Sequence, residues 1–97
     1  MAKVKWLPEA LADVDRLYRF LLDKDTEAAA RAAGHILEAA RLLATSPRIG
    51  QPMPDDTGRR ELFIAFGAGA YVLRYILEEA DIPVVIRVWH SKESRRQ

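Results

Sequence analysis

The residues best equipped for chemistry crowd one end of the chain. From Arg87 to Gln97 stand four cations, Arg87, Lys92, Arg95 and Arg96, against the single carboxylate Glu93, with His90 among them. A guanidinium fork grips a carboxylate or phosphate through two parallel N–H donors, and an ammonium attracts the same groups as a point charge. An imidazole titrates near neutral pH and can pass a proton. Together these groups suit contact with an anionic surface. Hydrolysis asks for more, and no second histidine or obvious carboxylate partner accompanies His90 in sequence, so His90 is the one, weak candidate for a catalytic role.

Other chemistries lack their residues. The chain has no cysteine, which removes disulfides and thiolate metal sites, and no phosphate-binding glycine loop, dinucleotide fingerprint or zinc-spaced histidine pair. Glu78, Glu79 and Asp81 share a turn, where consecutive acids project apart into solvent, so neither a metal nor a cofactor is expected. His35 is expected to lie on the surface of a helix. A net charge of +1 excludes a protein that coats nucleic acid through bulk charge. With 49% hydrophobic and 30% charged residues, a chain of 97 residues has one globular core and a single domain, 1–97, ending in a basic tail at about 91–97. No stretch approaches the roughly 18 apolar residues of a bilayer span, and the N-terminus has no signal-peptide core, so the expected location is the cytoplasm.

The elements that must position the basic end follow from periodicity. "KVKWL" alternates charge with bulk as a short strand, with Val4 and Trp6 on one face. Pro8 suits the first turn of a helix over about 8–23, whose stripe is Leu11, Val14, Leu17, Tyr18, Leu21 and Leu22, although Leu7 is a poor cap. Asp25 or Thr26 caps a second helix, with Ala33, Ile36, Leu37, Ala40 and Leu43 inward, which ends at Ser46-Pro47. The alanines let the two helices approach closely as an antiparallel hairpin. "PRIGQPMPDDTG" reads as a loop. Three strands follow, "ELFIAF", "AYVLRYILEE" and "IPVVIRVWH", with turns at Gly67-Ala68-Gly69 and near Ala80-Asp81. The expected fold is α+β: a two-layer β-α-α-β-β-β domain, its helix hairpin packed on one face of a small, mainly antiparallel four-stranded sheet.

A turn near residue 80 would set Tyr71, Leu73, Tyr75 and Leu77 toward the helices beside Val84, Ile86 and Val88. Val72, Arg74 and Ile76 would then share the opposite face with Val85, Arg87 and Trp89. Arg74 comes to lie across from Arg87. Like charges so placed need an anion between them, supplied either by Glu61, Glu78 or Glu93, or by an acidic partner. Val72, Ile76, Val85 and Trp89 have no second helix layer to cover them, and an apolar patch of that kind marks a protein–protein site.

Three segments carry a resemblance along nearly the whole chain: "WLPEALADVDRLYRFLLDKD", "LLATSPRIGQPMPD" and "AYVLRYILEEADIPVVIRVWHSKESR". They resemble the ParE branch of the RelE/ParE toxin superfamily of plasmid-stabilisation proteins. The resemblance implies a toxin neutralised by a ParD-like antitoxin, with DNA gyrase as target and DNA reached only through the antitoxin. It makes Arg74, Arg87, His90, Lys92, Arg95 and Arg96 target-binding candidates, and Leu17, Tyr18, Leu21, Val72, Ile76, Val85 and Trp89 antitoxin-binding ones. RelE-type members, which cleave mRNA on the ribosome, carry cations where this chain has Phe63, Ala65 and Val72, and a late tyrosine where none follows Trp89. A centre without those groups cannot stabilise charge developing on phosphate. Gyrase binding is therefore the expected activity; a ribosome-dependent mRNA interferase, or a non-toxic binding module of the same fold, is the alternative.

Overall fold

A computed structural model describes residues 3–93. Strand β1 (Lys5–Trp6) leads into helices α1 (Pro8–Leu22) and α2 (Thr26–Thr45); strands β2 (Gln51–Pro52), β3 (Arg60–Phe66), β4 (Gly69–Glu78) and β5 (Ile82–His90) follow. The sheet order is β1-β5-β4-β3-β2, with β1 parallel to β5 and every other pair antiparallel. The α+β class and the helix hairpin are as expected. The sheet has five strands rather than four, because Gln51 and Pro52 of the anticipated loop pair with Glu61 and Arg60.

Local chemistry sets the boundaries. Pro8 opens α1, and Leu7, which offers no side-chain cap, instead donates its N–H to the Val85 carbonyl at 3.0 Å. Asp25 is the cap of α2, its carboxylate accepting from the N–H groups of Glu27 and Ala28 at 3.0 and 3.2 Å. Gly67 takes φ +63° at the first central position of the two-residue β3–β4 turn, where a left-handed residue is required.

Leu17 on α1 and Ile36, Ala40 and Leu43 on α2 are buried as expected, with Val14 and Leu21 packed against them, but the edges of both stripes are shifted. Inward on α1 are Ala10, Asp13 and Leu17, with Leu11 56% exposed; inward on α2 are Ala29, Ala32, Ile36, Ala39, Ala40 and Leu43, with Leu37 exposed. Alanine runs give no apolar contrast to fix the phase of α2, and on α1 a buried carboxylate occupies a position that periodicity assigns to the polar side.

The sheet's register changes midway. Arg74 pairs with Arg87 as expected, but the next pair is Tyr75 with Val85, so Ile86 is a bulge residue without a partner across. Beyond it the faces exchange: Val85 joins Tyr71, Leu73, Tyr75 and Val88 in the core against the helices, and Val84 passes to the other side beside Ile76. The assignment of Val85 to the helix-free face is thereby corrected. Tyr75 also fastens the long loop, accepting from the Gly50 N–H at 2.8 Å and donating to the Pro47 carbonyl at 2.7 Å. A Cβ on Gly50 would stand 2.6 Å from the Tyr75 ring.

Candidate functional site

At the end of the sheet the β3–β4 hairpin, α1 and the residues after β5 enclose an apolar groove of about 570 Å³. Leu17, Phe20 and Leu21 form one wall, Phe66 and Tyr71 another, and His90, Lys92 and Glu93 the third. Phe20 is 61% exposed at the groove. Tyr71 is only 2% exposed, yet among the described residues its hydroxyl has no hydrogen-bond partner. Burial, then the nearby Glu93 charge, pushes this phenol above its ordinary pKa, so it stays a neutral donor.

His90 is fixed rather than poised. Its Nδ1 accepts the Lys92 backbone N–H at 3.1 Å; an amide can only donate, so Nδ1 is unprotonated. The proton therefore rests on Nε2, which donates to the Phe66 carbonyl at 3.1 Å. Both ring nitrogens are occupied and neither is available as a general base. The ring stands edge-on to Tyr71 at 5.0 Å, Tyr71 meets Phe66 at 5.2 Å, and Phe66 meets the exposed His35 at 5.5 Å. Gly69 permits this closeness, since a Cβ there would lie 2.8 Å from His90 Cε1 and 2.5 Å from Ser91 Oγ.

The turn after β5 is stitched back. Ser91 donates its N–H to the Ala70 carbonyl at 2.7 Å, Glu93 accepts the His90 N–H at 3.0 Å through one oxygen, and its other oxygen pairs with Arg16. Lys92 has no carboxylate partner among the described residues. Arg95 and Arg96 lie outside the described residues.

The two opposed arginines are each neutralised from within. Arg74 donates from Nε and NH2 to Glu61 at 3.0 and 2.7 Å and lies 4.9 Å over the Trp89 ring. Arg87 instead reaches α1, donating to Asp13 from Nε and NH2 at 2.8 and 3.0 Å. Of the other carboxylates expected here, Glu78 pairs with Lys5 and Glu93 with Arg16. Asp13, 4% exposed, also accepts the Val88 N–H at 2.8 Å and Arg16 at 3.1 Å. Burial works against its charge, but Arg87, Val88 and Arg16 together outweigh it and hold the carboxyl below the usual aspartate range. β1 is too short to pair with Val88, so this side chain serves the sheet edge where a strand would. An acid at the third position between Ala10 and Leu17, on the same helical face, was the available signal for Asp13.

The expected antitoxin contacts divide. Leu17, Val72 and Val85 are buried, Leu17 lining the groove; Tyr18 stands exposed and Leu21, Ile76 and Trp89 are half-buried. Phe63, 54% exposed, adjoins Val72 and Trp89 in one row across three strands of the helix-free face. Among the described residues no cluster of three or more metal-ligating side chains occurs, Asp81 being engaged by both terminal nitrogens of Arg48. No helix there is long and apolar enough to cross a membrane.

Known proteins are similar to this chain. Toxin RelE3 of Caulobacter vibrioides is 38% identical over 95 residues, covering 98% of this chain and all of its own. Toxin RelE1 of the same organism is 41% identical over 87 residues, 89% of each chain. The solved chromosomal ParDE TA system from P. aeruginosa has the same fold, with a TM-score of 0.74 at 22% identity over 93% of this chain and 96% of that one. Residues 4–95 match the family model of the ParE toxin of type II toxin-antitoxin system, parDE. By the extent of that match and of the two relatives, the chain belongs to the ParE toxin family of type II toxin-antitoxin systems.

Proposed function

We propose that this ParE-family chain acts by binding, with DNA gyrase as its target and a ParD-like antitoxin as its inhibitor. The observation that carries this reading is an open apolar groove set beside a histidine whose two ring nitrogens are both engaged. Proton transfer needs a free nitrogen; complex formation needs unfilled apolar surface and unspent donors. Phe20, Leu21 and the Tyr71 hydroxyl supply these. The antitoxin covers the groove with an apolar segment that carries an acceptor for Tyr71, while Lys92, Arg95 and Arg96 meet its acidic residues or those of the target. Arg74 and Arg87, held by Glu61 and Asp13, shape the surface more than they attract an anion.

Purified chain should inhibit ATP-dependent supercoiling by gyrase, or trap gyrase on cleaved DNA, and the product of the adjacent reading frame should reverse this. A second reading draws on the RelE names of the two Caulobacter relatives: a ribosome-dependent mRNA interferase. Cleavage of mRNA on the ribosome by the wild-type chain, abolished by His90→Ala with gyrase unaffected, would establish that reading and overturn the first.

A further inference from the structure

The polar groups that line the groove are nearly all occupied, and the two that are not share one character. Glu93 has both carboxylate oxygens engaged, one by the His90 N–H and one by Arg16, and both ring nitrogens of His90 are taken. Arg16 serves Asp13 at 3.1 Å and the Val88 carbonyl at 3.4 Å besides Glu93. Lys92 and Tyr71 remain. Among the described residues the Lys92 ammonium has no carboxylate partner and the Tyr71 hydroxyl no hydrogen-bond partner. An ammonium only donates, and a neutral phenol has one O–H to give. What the groove lacks is therefore an acceptor, and the ammonium favours one with negative charge.

The two donors lie close together. The His90 ring stands against Tyr71 at 5.0 Å and takes the Lys92 backbone N–H at 3.1 Å, and the Glu93 charge acts on the phenol. Among the lining side chains Arg16 and Lys92 oppose Glu93, two cations against one carboxylate, so a single negative charge restores neutrality. Two donors also match the two oxygens of a carboxylate. A phosphate brings more oxygens than there are free donors, and Glu93 repels its second charge. The rest of the lining is apolar, and about 570 Å³ is an ordinary volume for a small-ligand pocket.

We infer that the groove is a binding site for a small amphiphilic carboxylate, a free molecule whose carboxylate meets Lys92 and Tyr71 and whose apolar body lies against Phe20, Leu21 and Phe66. Phe20, 61% exposed, gains the most cover from such a ligand. The assignment stands apart from the antitoxin reading and needs no partner protein, although ligand and antitoxin would contend for the same surface.

Sodium octanoate, kept below its micelle-forming concentration, is the probe, titrated into the full chain and followed by NMR. It should bind saturably at one site, shifting the resonances of Leu17, Phe20, Leu21, Phe66 and Tyr71 and leaving Phe63 on the helix-free face unmoved. Octan-1-ol keeps the body and loses the charge, so it should bind about tenfold more weakly. Lys92→Gln should weaken octanoate about tenfold and octanol by less than about twofold, and Tyr71→Phe should weaken octanoate about fivefold. Neither side chain has a polar partner to lose, so both variants should melt within a few degrees of wild type. Phe20→Ser, at an exposed position, should weaken both ligands. Absence of saturable binding, shifts centred elsewhere, equal affinity for octanoate and octanol, or wild-type affinity in Lys92→Gln would each overturn the assignment. Recovery of the chain on phosphatidylglycerol vesicles, with free octanoate inert, would give the groove to a membrane surface and overturn it as well.

Discussion

Replacing Asp13 by alanine should be the most damaging single change on α1. The carboxylate receives four hydrogen bonds: two from Arg87, one from the Val88 N–H and one from Arg16. Truncation leaves the buried Val88 amide unsatisfied, at about 1–3 kcal/mol, and removes charge-assisted bonds worth about 1.5–3 kcal/mol each in a buried setting. The arginine contributions must be discounted heavily, because the Arg87 and Arg16 side chains are 42% and 44% exposed and water can take up what they lose. A net loss of about 2–4 kcal/mol follows. For a domain near 100 residues that corresponds to roughly 10–25 °C in Tm. Asp13→Asn keeps one acceptor oxygen and should cost about half as much. Urea and thermal unfolding of the free chain, followed by circular dichroism, measure both. A loss below about 1 kcal/mol for Asp13→Ala would show that Val88 finds another acceptor and would refute the edge-capping role.

Acidification should follow from the same carboxylate. Its pKa is lowered on folding, so its stabilisation is present above the unfolded value of about 4 and is lost as pH falls through the folded one; stability should hold from pH 8 to 5, drop below about 4, and drop less in Asp13→Asn. Tyr75→Phe should cost about 1–3 kcal/mol in urea unfolding, since the Gly50 N–H and Pro47 carbonyl lose their shared partner. If the proposed gyrase target holds, His90→Ala should leave inhibition within a few-fold of wild type while lowering stability, because both ring nitrogens serve the turn; a loss of activity at unchanged stability would contradict this. Truncation after Glu93 removes Arg95 and Arg96 but keeps the Arg16–Glu93 pair, so the domain should fold normally and bind its target more weakly in a pull-down at low salt. Equal binding by the truncated chain would deny the tail a role.

What the sequence displayed was governed by periodicity, and what it concealed was governed by side chains that reach between elements. The β-branched alternation of "IPVVIRVWH" and the Gly67 turn announced the sheet, and even placed Arg74 across from Arg87. A bulge at Ile86 needs one unpaired residue and leaves no mark in composition, so strict alternation sets Val85 on the wrong face. The charges of the site were visible, but their partners were not: nothing in a linear pattern joins Arg87 to Asp13 or Arg16 to Glu93. Tyr71 read as one more core aromatic. Its place in the groove depends on Gly69 being small enough for His90 and Ser91 to fold over the strand.

The stitching of α1 to the last residues bears on how the chain comes into being. Asp13 waits for Arg87 and Val88, and Arg16 for Glu93, separations of 74, 75 and 77 residues. During synthesis the helix hairpin emerges long before these partners, carrying Asp13 on a face whose sheet partners are not yet made. The groove is closed by β5 and the turn behind it, so a nascent chain has no finished groove until those residues have emerged. The groove is thereby completed only once β5 and the turn after it have left the exit tunnel. Ribosome-stalled chains ending before β5 should accordingly fail to capture antitoxin, and chains extended past Gln97 by a linker long enough to clear the exit tunnel should capture it.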